Sequence, residues 1–327
     1  MSEPNQTLTF LRCRSLLGVL NMRDLLSLPL FSSIAQRMRE VAETISNAPL
    51  VHLNAPASLT GVLAMAQLEA ACLDAGLPYS RRFFPSKAHR PRDEPPTVPM
   101  AKQGCTVGLM TEEATWALTE LEQLPWTRIT PLATSMVTGA SNKTLRGSLD
   151  VVAQAAAIAA LLAPNGRRVR SVRPTASLGM WLGSALDTSM DVFHNVLMHQ
   201  LHEEGSLRLV PLPEVEEPKA GLIPNVSDRR VAKLSKAWPT MAVDDRRQAL
   251  SELVLPALTV STLSTPRLES LVWFRMVVGD DPVDLVSQLQ HQMDAWPAQA
   301  ADVKPHCSKV LDGWLGTGSL WPGATTD

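Results

Sequence analysis

The chain has 327 residues, 45% of them hydrophobic, so it can bury a large core and is long enough for more than one domain. Its 30 basic and 32 acidic residues leave a net charge of -2, which excludes a chain-wide basic field for nucleic acid and leaves only local patches. The four cysteines (Cys13, Cys72, Cys105, Cys307) form no CxxC pair or zinc spacing and read as reduced, packed thiols. The most apolar run, 151–163, is broken by Gln154 and stops at Pro164. That is short of the ~20 residues a membrane span needs. No basic region precedes an apolar core at the N-terminus, so a cytoplasmic location is expected.

In chain order, residues 9–47 read as helical, with Leu25, Leu28, Phe31 and Ile34 at helical spacing. A short strand at 49–53 is followed by a helix over 59–75, with Val62, Met65, Ala66, Leu68 and Leu73 inward and Gly76 as its stop. Residues 79–84 read as a second strand. The proline-rich, basic stretch 85–103 reads as loop. A third strand at 105–110, a helix over 111–121 and a fourth strand at 126–132 follow. Residues 133–147 read as a polar loop marked by Gly139 and Gly147, and Ser148 as the cap of a helix over 149–162. Two further helices are predicted over 175–187 and 191–204, with a strand at 207–210.

Alternating strands and helices predict an α/β domain over 1–210 with a mostly parallel open sheet and flanking helices. The acidic, proline-rich stretch 211–226 reads as a linker. Helices at 227–237, 243–258, 266–278, 282–296 and 302–315 predict a smaller helical domain over 227–315, and 316–327 reads as a flexible tail.

The strand-loop-helix stretch VHLNAPASLTGVLAMAQLEAACLDAGLPY resembles the first motif of the DHH phosphoesterase superfamily, which includes RecJ-type nucleases. In that family a strand runs into His-x-Asp-Ala-Asp-Gly and then an alanine-rich helix. Here His52 stands at the motif's start, but Asn54 and Pro56 occupy the metal-binding aspartate positions. Gly108 replaces the aspartate of the second motif. The strand around Pro131 lacks the Asp-His-His that names the family, while Asp187 in GSALD fits the fourth motif. The resemblance covers about residues 35–210 and implies a phosphoesterase fold whose metal ligands are lost. Two neighbouring divalent ions need several carboxylates and imidazoles, and one remaining acid cannot supply them.

The resemblance therefore implies a pseudoenzyme with no catalytic residues, metal or cofactor, acting as a binding or scaffold subunit in DNA replication or repair. Its relatives include DHH-fold subunits of the replicative helicase, which implies GINS- and MCM-type proteins as partners. The residues leave two other readings open. One is an active enzyme on a doubly wound fold, using His52, Asp187 and the loop 135–142 on a small phosphorylated ligand. The other is a single-strand binder gripping phosphates with Arg81, Arg82 and Arg90, or with Arg167, Arg168 and Arg170. His199 and His202, at i, i+3, read as a solvated helix face and not as a zinc site. Trp314 and Trp321 in the glycine-rich tail are candidate partner anchors.

Overall fold

The computed structural model describes residues 24–91, 94, 96, 98–111, 127–138, 143–183, 192–260 and 263–322. Its centre is a four-stranded parallel sheet of β1 (Val51–Pro56), β2 (Tyr79–Phe84), β3 (Cys105–Leu109) and β4 (Thr127–Ile129), in the order β2-β1-β3-β4. β1 is central, and Val51, Leu53, Asn54 and Ala55 are all fully buried, as expected of a strand covered on both faces. The protein is thus α/β, with an all-parallel main sheet and further helices towards the C-terminus.

Helix α1 spans Ala35–Ser46 and α2 spans Leu59–Ala75. Ser58 caps α2 by accepting from the Gly61 N–H, and Gly76 ends it in the left-handed region at φ 66°. The helix is not amphipathic: every residue from Leu59 to Cys72 except Thr60 is buried, and Leu73, predicted inward, is exposed. The reason is its position between the sheet and α3 (Val151–Leu162). Alanines on both helices permit close approach, and the two buried glutamines find backbone partners. Gln67 donates to Val172 O at 2.9 Å and Gln154 to Thr130 O at 2.7 Å.

Several predicted elements are corrected. Before α1 the described residues make two 3₁₀ turns, Leu25–Ser27 and Pro29–Phe31, because Pro29 cannot continue a helix from Leu25. The stretch 133–147 is not a loop. It forms a hairpin of β5 (Leu132–Thr138) and β6 (Lys143–Leu149), paired antiparallel. Thr134 and Met136 turn inward while Ser135 and Val137 face out. Gly147 marks a crossing, where a Cβ would lie 2.2 Å from the Phe193 ring. The cap of α3 is Asp150, which accepts from Val152 N and Ala153 N, and not Ser148. Helix α4 (Arg167–Val172) carries the second basic cluster. The prediction over 175–187 resolves into a 3₁₀ turn at Arg173–Ser177 and α5 (Leu178–Leu182). The next helix, α6, spans Val192–Glu203. The helix predicted over 111–121 lies outside the described residues from 112 onward.

β7 (Arg208–Val210) pairs antiparallel with β8 (Arg275–Val277), a strand where one helix was predicted over 266–278. Leu212, Val215 and Ile223, in the stretch predicted as linker, are buried. The C-terminal helices are α7 (Asp228–Ala237), α8 (Val243–Val254), α9 (Thr265–Trp273), α10 (Leu285–Asp294) and α11 (Ala300–Thr317). α11 packs back on α2 and β2, so residues 316 and 317 are helical and Leu320 is buried where a free tail was predicted. Among the described residues no helix is long and apolar enough to cross a membrane.

Candidate functional site

The strand order reverses between β1 and β3, since β2 lies on one side of β1 and β3 on the other. In open α/β sheets ligands bind in the crevice at the carboxyl ends of strands at such a switch point. The sheet register sets Asn54 of β1 opposite Gly108 of β3, with Pro56 two residues further along β1. Three of the six resemblance positions therefore come together, and none is an acid.

Asn54 is fully buried, and its Nδ2 donates to His52 O at 3.0 Å and to Val107 O at 3.4 Å. Gly108 adds no side chain beside it, so the amide can reach across to β3. Asn54 Oδ1 has no hydrogen-bond partner among the described residues. One neutral oxygen does not fit a two-metal centre. Among the described residues no three His, Cys, Asp or Glu side chains converge on a metal-sized site.

Pro56 closes β1, and its carbonyl accepts from Ser58 N at 2.8 Å. A Cβ on Gly61 would lie 2.1 Å from Pro56 O, so α2 docks on the strand end at a distance that only glycine allows. Gly61→Ala should therefore cost about 1–3 kcal/mol through forced displacement of that contact, read as a lower urea midpoint.

His52 is turned to the β2 side. Its Nδ1 meets Ser80 Oγ at 2.7 Å and its Nε2 meets Gln103 O at 3.0 Å. A carbonyl only accepts, so Nε2 carries the hydrogen and Nδ1 accepts from Ser80. Pro131 is half-buried between β4 and β5. Asp187 and residues 139–142 of the predicted loop lie outside the described residues.

Three of the six predicted phosphate-gripping arginines have structural partners. Arg81 bridges Glu69 of α2 at 3.0 Å and Asp312 of α11 at 2.8 Å. Tyr79 donates to the same Glu69 at 2.9 Å. Burial raises the Glu69 pKa above the usual carboxylate value, against the opposing pull of Arg81. Arg168 pairs with Asp74 at 3.1 Å, and Arg170 donates to Asn165 at 3.2 Å. Arg82 and Arg167 are exposed, and Arg90 is half-buried.

Trp314 lies within α11 and is buried where that helix packs back on the domain, so it offers no surface to a partner. Trp321 stacks on His291 with ring centroids 5.0 Å apart. His199 packs edge-on to Phe274, and His202 Nδ1 lies 3.3 Å from Leu207 O.

No family model matches this sequence, and a search of curated proteins gives no match either.

Among the cavities of the described residues, two that were not read from the sequence lie beside polar side chains. The larger, about 580 Å³, lies between residues 212–226, α7 and the buried Arg275. The smaller, about 350 Å³, lies at the carboxyl ends of β1 and β2 and is lined by Ala57, Pro85, Ser86, His89 and the start of α11 with Lys304. Lys304 sits far from Ser86 and His89 in the chain, and the return of α11 onto β2 brings it to them.

Proposed function

We propose that this chain is a catalytically silent protein of DHH-like organisation that serves as a binding or scaffold subunit, with GINS- and MCM-type replication or repair proteins as its partners. The observation that carries the reading is the Asn54–Gly108 pair at the switch point. There a metallophosphoesterase would need carboxylates, and this chain has a buried neutral amide hydrogen-bonded to strand carbonyls. At the end of β1, Gly61 of α2 docks so closely on the Pro56 carbonyl that no side chain fits between them. A parallel sheet kept intact around a crevice where no metal-binding cluster forms among the described residues retains its value as a rigid platform.

The test is affinity capture of the tagged chain from its own host with mass spectrometry, alongside a manganese-dependent phosphodiesterase assay. Recovery of GINS or MCM subunits and no hydrolysis are expected. Hydrolysis that Asp187→Ala abolishes would overturn the reading.

A further inference from the structure

We infer that the cavity at the carboxyl ends of β1 and β2 binds the phosphate group of a small phosphomonoester. The inference does not depend on the scaffold reading. Ala57 directly follows β1, and Pro85 and Ser86 directly follow β2, so the cavity sits where an open parallel sheet presents ligands. Its far wall is the first two turns of α11.

The chemistry of the lining has one sign. Ser86, His89 and Lys304 are its polar side chains, and no carboxylate lines it among the described residues. Ser86 is 5% exposed and precedes the 3₁₀ turn Lys87–His89, yet its hydroxyl caps no backbone N–H there. Among the described residues its side-chain partner is His89 Nδ1 at 3.4 Å. His89 Nε2 lies 3.4 Å from Ala298 O, which only accepts, so that nitrogen carries a hydrogen and holds the ring in place. At 3.4 Å the contact between Ser86 and His89 is long, so the rotatable serine hydroxyl can turn its hydrogen into the cavity. Lys304 is exposed at the mouth and has no ion-pair partner among the described residues. A hydroxyl and an ammonium on one space, with no carboxylate beside them among the described residues, form a donor set for a compact anion.

Size selects the source of the phosphate. A volume of about 350 Å³ is near the lower end of small-molecule sites, enough for a phosphate with a small organic body. A nucleic-acid strand needs an open groove that tracks its backbone.

The full chain would be titrated by calorimetry with inorganic phosphate, ribose 5-phosphate, succinate and an oligonucleotide lacking terminal phosphates. Phosphate and the monoester should bind, and Lys304→Gln and Ser86→Ala should each weaken them, the lysine change by roughly tenfold. Lys304 is exposed, so its variant should fold as the parent does, and a matching urea midpoint would verify this. The proposal fails if phosphate gives no heat up to about 20 mM. It also fails if both variants bind as the parent does, or if only succinate or only the oligonucleotide binds.

Discussion

Replacing Asp284 with alanine is expected to cost about 3–5 kcal/mol of folding free energy, a large part of the stability of an ordinary domain. Asp284 and Arg275 are both essentially without solvent contact. Oδ1 of Asp284 accepts from Arg275 Nε at 3.0 Å and from the N–H groups of Val286 and Ser287, which begin α10. Oδ2 accepts from Arg275 Nη2 and from Ser287 Oγ, both at 2.6 Å. Ser287 Oγ in turn accepts from Lys219 N at 2.8 Å, which ties the segment over the larger cavity to the same knot. One carboxylate therefore neutralises a buried cation, caps a helix and orients the serine that holds the 212–226 segment. Alanine leaves the guanidinium in a low-dielectric site with no counter-charge, and that desolvation is the dominant cost. Urea unfolding reads the change. A double replacement, Arg275→Met with Asp284→Leu, should recover most of the loss, because it removes both charges and keeps the volume. A single-variant loss below about 1 kcal/mol would show that water reaches the pair.

The parts of the fold legible in the sequence are those with local punctuation. The α2 and β2 boundaries rest on a serine cap and a left-handed glycine, which are short-range signals, whereas β1 runs to Pro56, past its predicted end at 53. β5 and β6 escaped because Thr, Ser and Gly supply their alternation, so the pattern looked like a polar loop. β8 escaped because it follows α9 after a single residue, Phe274, with no glycine or proline between. The site divides in the same way. The absence of acids at Asn54, Pro56 and Gly108 is visible residue by residue, and the register of β1 with β3 makes Asn54 and Gly108 neighbours. The partners of Arg81 and Arg168, and of Arg173 with Glu204, come from distant elements. Within the basic runs, Arg81 and Arg168 join β2, α2, α4 and α11, while Arg82 and Arg167 stay exposed. Tertiary charge pairing is the information a one-dimensional charge pattern lacks.

The second large effect is on pH. His194 on α6 is fully buried, 6.1 Å from the Trp181 ring. Burial disfavours its charged form and, with smaller contributions from Arg267 and His199, lowers its pKa from 6.5 to about 4. The folded state holds this ring neutral at pH values where the unfolded chain already binds a proton. The resulting stability is complete above the unfolded value of 6.5. It declines as pH falls from there and is gone below about 4. A difference of this size corresponds to roughly 3 kcal/mol, a substantial share of a marginal domain's stability. Urea unfolding at pH 7.0, 5.5 and 4.5, values chosen to span roughly this interval, should show a steady drop. His194→Gln should flatten that drop, whatever it does to stability at neutral pH, because glutamine cannot take up the proton. An unchanged slope in the variant would assign the acid sensitivity to the carboxylates.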